Sequence, residues 1–314
     1  MKNEIAQKSR RPLPEIAANL VRGGLIGAVE TMPGVSGGTV ALAVMIYERL
    51  IASASSLIVG VYQVLAGIAR GAAARREGVS RLRQVDWLLV VPLLGGMIAG
   101  ILLMSQVMED LSANHPVLMR AAFFGMVLVS LLIPIRLAGR WRRRDTAYAV
   151  LAALIAGIGV SLPPQTLEVT PLTIIACAAV AVCALALPGL SGSFLLLALG
   201  LYEPTLAAVN NRELGYLGLF MVGAVVGGVV IVLGLRKLLA VRHHLTMVVI
   251  TGLMAGGLRA LWPWQDESRN VVAADPATLL PVVALALGGA LIVGLGVWAE
   301  LRATVKATVK QDAA

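Results

Sequence analysis

Histidine and cysteine are scarce: three His and two Cys in 314 residues. A metal centre or a phosphatase relay needs clustered imidazoles, thiolates or carboxylates, and His115, His243 and His244 are too few and too scattered to supply one. Cys177 and Cys183 lie six apart in an apolar run, without the CxxC spacing of a zinc or redox site, and read as small core residues. Charge is scarce as well, with 14% of residues charged against 58% hydrophobic and a mean hydropathy of +0.86. A soluble single-core domain of this length is not so apolar, so the chain is expected to be an all-α polytopic membrane protein. No short apolar stretch with a small-residue cleavage site follows the basic N-terminus, so no removable signal peptide is expected.

The net charge of +9 does not imply a nucleic-acid partner, because the basic residues fall between apolar spans and no aromatic-basic module accompanies them. Of 26 Lys and Arg, 21 lie in five places: the N-terminus, residues 49–83, 136–144, 236–242, and the tail from Arg302. The intervening loops hold Glu109 and Asp110, or Glu168, or Asp266, Glu267 and Asp275. The positive-inside rule then places the five basic regions and both termini in the cytoplasm. Six runs are long enough to span: 87–108, 117–138, 146–163, 215–235, 244–263 and 279–300.

What the chain does have is an internal repeat. Pro33-Gly34-Val35-Ser36-Gly37-Gly38 returns as Pro188-Gly189-Leu190-Ser191-Gly192-Ser193, and Tyr47-Glu48 returns as Tyr202-Glu203, all at an offset of 155. Gly96, Gly100 and Gly125 match Gly223, Gly227 and Gly252 at an offset of 127. The difference of 28 is an extra stretch in the first half, within 49–86, that starts apolar and ends in Arg70, Arg75, Arg76, Arg81 and Arg83. Each Pro-Gly turn interrupts a short apolar segment, which predicts two re-entrant helical hairpins and two inverted halves. The expected organisation is a basic N-terminus (1–15), a first repeat over 16–145 with hairpin 16–50, a cytoplasmic surface segment 51–86 and two spans, and a linking span 146–163. A second repeat over 171–263 follows, with hairpin 171–202 and two spans, then a final span 279–300 and a tail 301–314.

The turn at 33–39 lacks the GKT or GKS ending of a nucleotide-binding loop. Its consecutive N–H groups, with the hydroxyls of Ser36 and Thr39, form an expected anion cradle over Gly34, Ser36, Gly37, Gly38 and Thr39. Gly189, Ser191, Gly192 and Ser193 offer the same in the second copy; the other reading is that small residues let two tips pack closely. Glu30 stands three residues before the first turn and its repeat mate is Leu185, so it is a candidate for proton coupling or gating, or a cap for the following N–H groups. Arg22, Arg120 and Arg259 are basic residues inside apolar segments whose repeat mates are uncharged. They are candidates to grip a phosphate with a guanidinium fork, or else they snorkel and anchor. The tyrosines closing the hairpins read as interfacial anchors.

Glu30-Thr31-Met32-Pro33-Gly34-Val35-Ser36-Gly37-Gly38-Thr39, Tyr47-Glu48 and Pro188-Gly189-Leu190-Ser191-Gly192-Ser193 resemble the bacterial polyprenyl-phosphate (undecaprenyl phosphate) transporter family. The resemblance covers about residues 16–300. It implies a non-enzymatic flippase of the cytoplasmic membrane that returns undecaprenyl phosphate from the outer to the inner leaflet for cell-wall synthesis. It also implies that Glu30 and both turns belong to the site. Ser193-Phe194 replaces Gly38-Thr39 in the second copy, so one hydroxyl has moved. No cofactor or metal is expected; the partners are the polyprenyl phosphate and membrane lipids, with self-association left open. The alternative is a secondary transporter of a small phosphate- or carboxylate-bearing anion.

Overall fold

The computed structural model describes residues 12–30, 36–161, 167–266 and 270–312. Among these residues the chain is helical, with one isolated antiparallel bridge between Gln265 and Val271. The first half contains α1 (Pro12–Glu30), α2 (Gly37–Ala43), α3 (Tyr47–Arg70), α4 (Ala72–Arg83), α5 (Trp87–Asn114), α6 (Pro116–Ser130), α7 (Leu132–Ala138) and α8 (Arg143–Gly159). The second contains α9 (Pro171–Ala186), α10 (Gly192–Ala198), α11 (Tyr202–Asn210), α12 (Leu214–Gly257) and α13 (Pro276–Asp312).

Among the described residues, five stretches are long and apolar enough to cross a membrane: Tyr47–Arg70, Trp87–Ser105, Pro116–Ala138, Leu214–Leu261 and Pro276–Leu295. Leu214–Leu261 has 48 residues, about 72 Å at the helical rise, more than twice the ~30 Å of a hydrocarbon core. Its helix breaks at Arg242 (φ −136°, ψ 47°), inside the basic stretch expected to separate two spans. Two elements differ from expectation. The expected span 146–163 is a 17-residue helix that ends at Gly159. The stretch 51–86, expected as a surface segment, instead begins within a 24-residue apolar helix that runs from Tyr47 to Arg70 and turns back at Gly71 into the basic α4.

Close helix packing reuses the repeat. Gly96 and Gly100 of α5 lie against the carbonyls of Leu20 and Gly24 on α1, and Gly223 and Gly227 of α12 lie against those of Ile175 and Ala179 on α9. Gly125 meets Ala286 of α13, and Gly252 meets Ala149 of α8. Without lipid-driven hydrophobic association, such backbone approach supplies the contact that holds membrane helices together. The short helices repeat too: α2 and α10 begin and end at offsets of 155 (192 minus 37, 198 minus 43), as do α3 and α11 at their starts (202 minus 47). Each short helix exits through a left-handed residue, Met45 (φ 57°) and Gly200 (φ 75°).

The charged ends gather. Arg49 bridges Glu15 at 3.2 Å and Asp86 at 2.6 Å, and Arg236 donates to the Ala52 carbonyl at 2.8 Å. His243 meets Glu48 at 2.9 Å, and His244 meets the buried Asp145 at 3.0 Å. Four of the regions separated in sequence therefore share one basic end of the bundle. The Arg142 backbone N–H, and then the His244 imidazole, hold the Asp145 carboxyl below its ordinary 3.8. A depressed carboxyl stabilises the fold fully above that ordinary value, and the contribution is lost as pH falls through the lowered one.

Two outcomes are expected. Gly96→Val and Gly223→Val, which drive a side chain into a facing carbonyl, each destabilise by about 1–3 kcal/mol or more. Gly234→Ala, with nothing near its added Cβ, gains up to about 1 kcal/mol of helix propensity. Thermal melts in detergent check this, and equal behaviour of all three would contradict the packing. In melts taken below the ordinary carboxylate range, Asp145→Asn flattens the acid loss of stability seen in the parent.

Candidate functional site

A helix that stops inside an apolar bundle leaves N–H and C=O groups without intrahelical partners, and no water replaces them. Here the two turn motifs supply partners to each other. Ser36, 1% exposed, caps α2 by accepting from the Gly38 N–H at 3.1 Å. Its hydroxyl faces the carbonyls of Leu185 at 3.1 Å and Leu187 at 3.4 Å, where α9 ends. The Tyr47 hydroxyl donates to the intervening Ala186 carbonyl at 2.8 Å. In the reverse direction, the Gly189 N–H donates to the Thr39 hydroxyl at 2.8 Å. Gly189 has φ +90°, and a Cβ there would lie 2.7 Å from the Met254 backbone nitrogen, so the turn admits only glycine.

Another donor of the first turn, the Gly37 N–H, is satisfied locally. Glu30 ends α1, and its Oε1 accepts from the Gly37 N–H at 2.7 Å. A carboxylate of the chain thus occupies the start of α2, the position where an anion was expected. In the second motif the Ser191 and Ser193 hydroxyls share a hydrogen bond of 3.0 Å, and Gly192 packs against α9. Pro33 and Gly34 lie outside the described residues.

An apolar cavity of about 200 Å³ lies beside Thr39, walled by Leu25 and Val29 of α1, Phe123 and Val127 of α6, and Ile292 of α13. The three intramembrane arginines are not gathered at the turns. Arg22 sits eight residues before Glu30, about 12 Å along α1, and donates to Asn19 Oδ1 at 3.0 Å. Arg120 uses its fork on the Pro263 carbonyl, at 3.1 Å from Nε and 3.0 Å from Nη2. Arg259 lines a groove of about 610 Å³ with Ser161, Val150 and Leu154, between α8 and the last turns of α12. Tyr47, read from the sequence as an interfacial anchor, is instead 2% exposed and joins the two motifs.

The two turn motifs thus clasp each other within an apolar helical bundle. A family model described as undecaprenyl phosphate translocase-like matches residues 26–278. A polyprenyl-phosphate transporter of Vibrio cholerae serotype O1 is 34% identical over 252 residues, which cover 78% of this chain and 77% of that protein. No solved structure matches. The chain belongs to the undecaprenyl phosphate translocase-like family.

Tyr47→Phe leaves the part-buried Ala186 carbonyl without this donor and is expected to cost about 1–3 kcal/mol. Tyr202→Phe, at the half-buried repeat position, is expected to stay within about 0.5 kcal/mol of the parent. Thermal melts of the purified protein decide it, and equal losses would remove Tyr47 from the clasp.

Proposed function

We propose that this protein moves a polyprenyl phosphate, of the undecaprenyl class, from the outer to the inner leaflet of a bacterial cytoplasmic membrane, returning a carrier lipid for reuse in cell-wall synthesis. The observation that carries this reading is the pair of turn motifs, 155 residues apart in sequence, hydrogen-bonded to each other where their helices break. In this reading residues 16–145 and 171–263 are inverted halves, joined by α8, which ends at Gly159, and closed by a span at 279–300. Their hairpins re-enter from opposite faces, and both termini are cytoplasmic. The equivalent glycine contacts and equivalent short helices support it.

The phosphate of the cargo sits between residues 34–39 and 189–193, held by backbone N–H groups and the hydroxyls of Ser36, Thr39, Ser191 and Ser193. Arg259, in the groove between α8 and α12, and Arg22 and Arg120 along the spans, guide it at the two faces. Only the charged group faces a large barrier in crossing, so the isoprenoid tail stays in lipid. The apolar cavity beside Thr39 favours a lipid cargo over a small anion, because a free anion gains nothing from Leu25, Phe123 and Ile292.

Glu30 then acts as an internal competitor. While ionised it holds the Gly37 N–H strongly; protonation removes its charge and weakens that bond, so that an anionic phosphate can take the donor, which ties a proton to each crossing. Leaflet exchange of a short-chain polyprenyl phosphate in liposomes, with and without an imposed pH gradient, tests this. Wild-type exchange is expected to respond to the gradient. Glu30→Gln keeps an acceptor for Gly37 and hence the fold, but loses the response. A Gln variant that still follows the gradient would leave Glu30 as a cap alone, and no exchange by the wild type would overturn the transport reading.

A further inference from the structure

Outside the turns, a group of charges gathers at the basic end, where the loop between α7 and α8 meets the break in α12. A pocket of about 420 Å³ is lined there by Arg140, Arg142, Arg144, Asp145, Tyr148, Arg242 and His244. Among the described residues, one carboxylate, Asp145, faces these four guanidinium groups, and its Oδ2 is taken by the Arg142 backbone N–H at 2.7 Å and by His244 Nε2 at 3.0 Å. The other ring nitrogen of His244 lies 2.6 Å from the Ala138 carbonyl. A carbonyl and an ionised carboxylate both only accept, so both nitrogens of His244 donate and the ring is an imidazolium. The nearby Glu48 is engaged by His243 at 2.9 Å. Five cationic groups thus surround one concavity with a single carboxylate among them.

Orientation in a membrane needs basic residues at one face, not basic residues turned around a common cavity. The backbone converges them: α12 leaves helical geometry at Arg242, and Asp145 at the third residue of α8 ties that helix start to His244. Guanidinium forks match the paired oxygens of a phosphate, and the Tyr148 hydroxyl adds a further donor. The pocket is too small for a helix or a nucleic-acid backbone, which would need an extended basic surface.

We propose that this pocket binds a phosphate group at the basic end of the protein, separate from the turn motifs. The phosphate comes either from the head of a lipid reaching that leaflet or from free inorganic phosphate. The binding itself does not rest on the transport reading; the lipid source does.

The full-length protein in nanodiscs is titrated with inorganic phosphate by calorimetry. The wild type is expected to bind, and Arg144→Gln with Arg242→Gln is expected to weaken binding at least tenfold. Arg143→Gln with Lys237→Gln removes the same charge from outside the pocket and is expected to leave binding unchanged. Melts confirm that each variant is folded; should the first pair unfold, Tyr148→Phe with Arg140→Gln takes its place. Repeating the titration with polyprenyl phosphate in the nanodisc separates the sources. Lost phosphate binding assigns the pocket to a lipid head group, and unchanged binding assigns it to the free ion. No binding by the wild type, or an equal loss when the outside pair is changed, overturns the proposal.

Discussion

Everything in this bundle depends on how the ends of broken helices are satisfied away from water. Three carbonyls at the end of α9, those of Leu185, Ala186 and Leu187, face hydroxyls carried by the other motif. One N–H of the second turn is taken by Thr39, and one of the first by Glu30. An unpaired buried group costs about 1–3 kcal/mol, so a handful of such bonds decides whether interrupted helices can exist in an apolar interior at all. The site and the fold are therefore the same set of hydrogen bonds.

Around that clasp, the packing is done by small residues. The glycines of α5 and α12 bring these helices against α1 and α9 at backbone distance, which holds the short arms in place although they bury few large side chains. The asymmetry between the halves is concentrated in a few positions. Thr39 and Glu30 carry polar groups where the second copy has Phe194 and Leu185, and α3 continues to Arg70 where α11 stops at Asn210. The same short-helix motif is thus used twice, with the carboxylate in one copy only.

Much of this was legible in the chain. Spacings of 155 and 127 reappear as the limits of α2 and α10 and as the glycine contacts, because both depend on backbone geometry that only a few residue types allow. The basic clusters mark one end of the bundle because their partners are also charged and local to that end. Other features were hidden. The length of α3 was masked by the arginines that follow it, since an apolar run that fades into charge looks like a surface helix. The inward turn of Tyr47 could not be read, because its partner lies 139 residues away. Arg120 offers the same fork to a phosphate or a carbonyl, and only the fold placed Pro263 in front of it.

The mutual bonding of the two turns has a consequence for tightness. Any pathway between the motifs requires Ser36, Thr39 and Tyr47 to let go of the opposite turn, which strands several polar groups at once. On the proposed reading, thermal fluctuation alone rarely supplies that, and the empty protein stays sealed against water and protons. A phosphate, with its own oxygens and negative charge, can replace the lost partners on entering. On the proposed reading the cargo is therefore also the wedge, and insulation of the membrane comes from the same few hydroxyls that admit it.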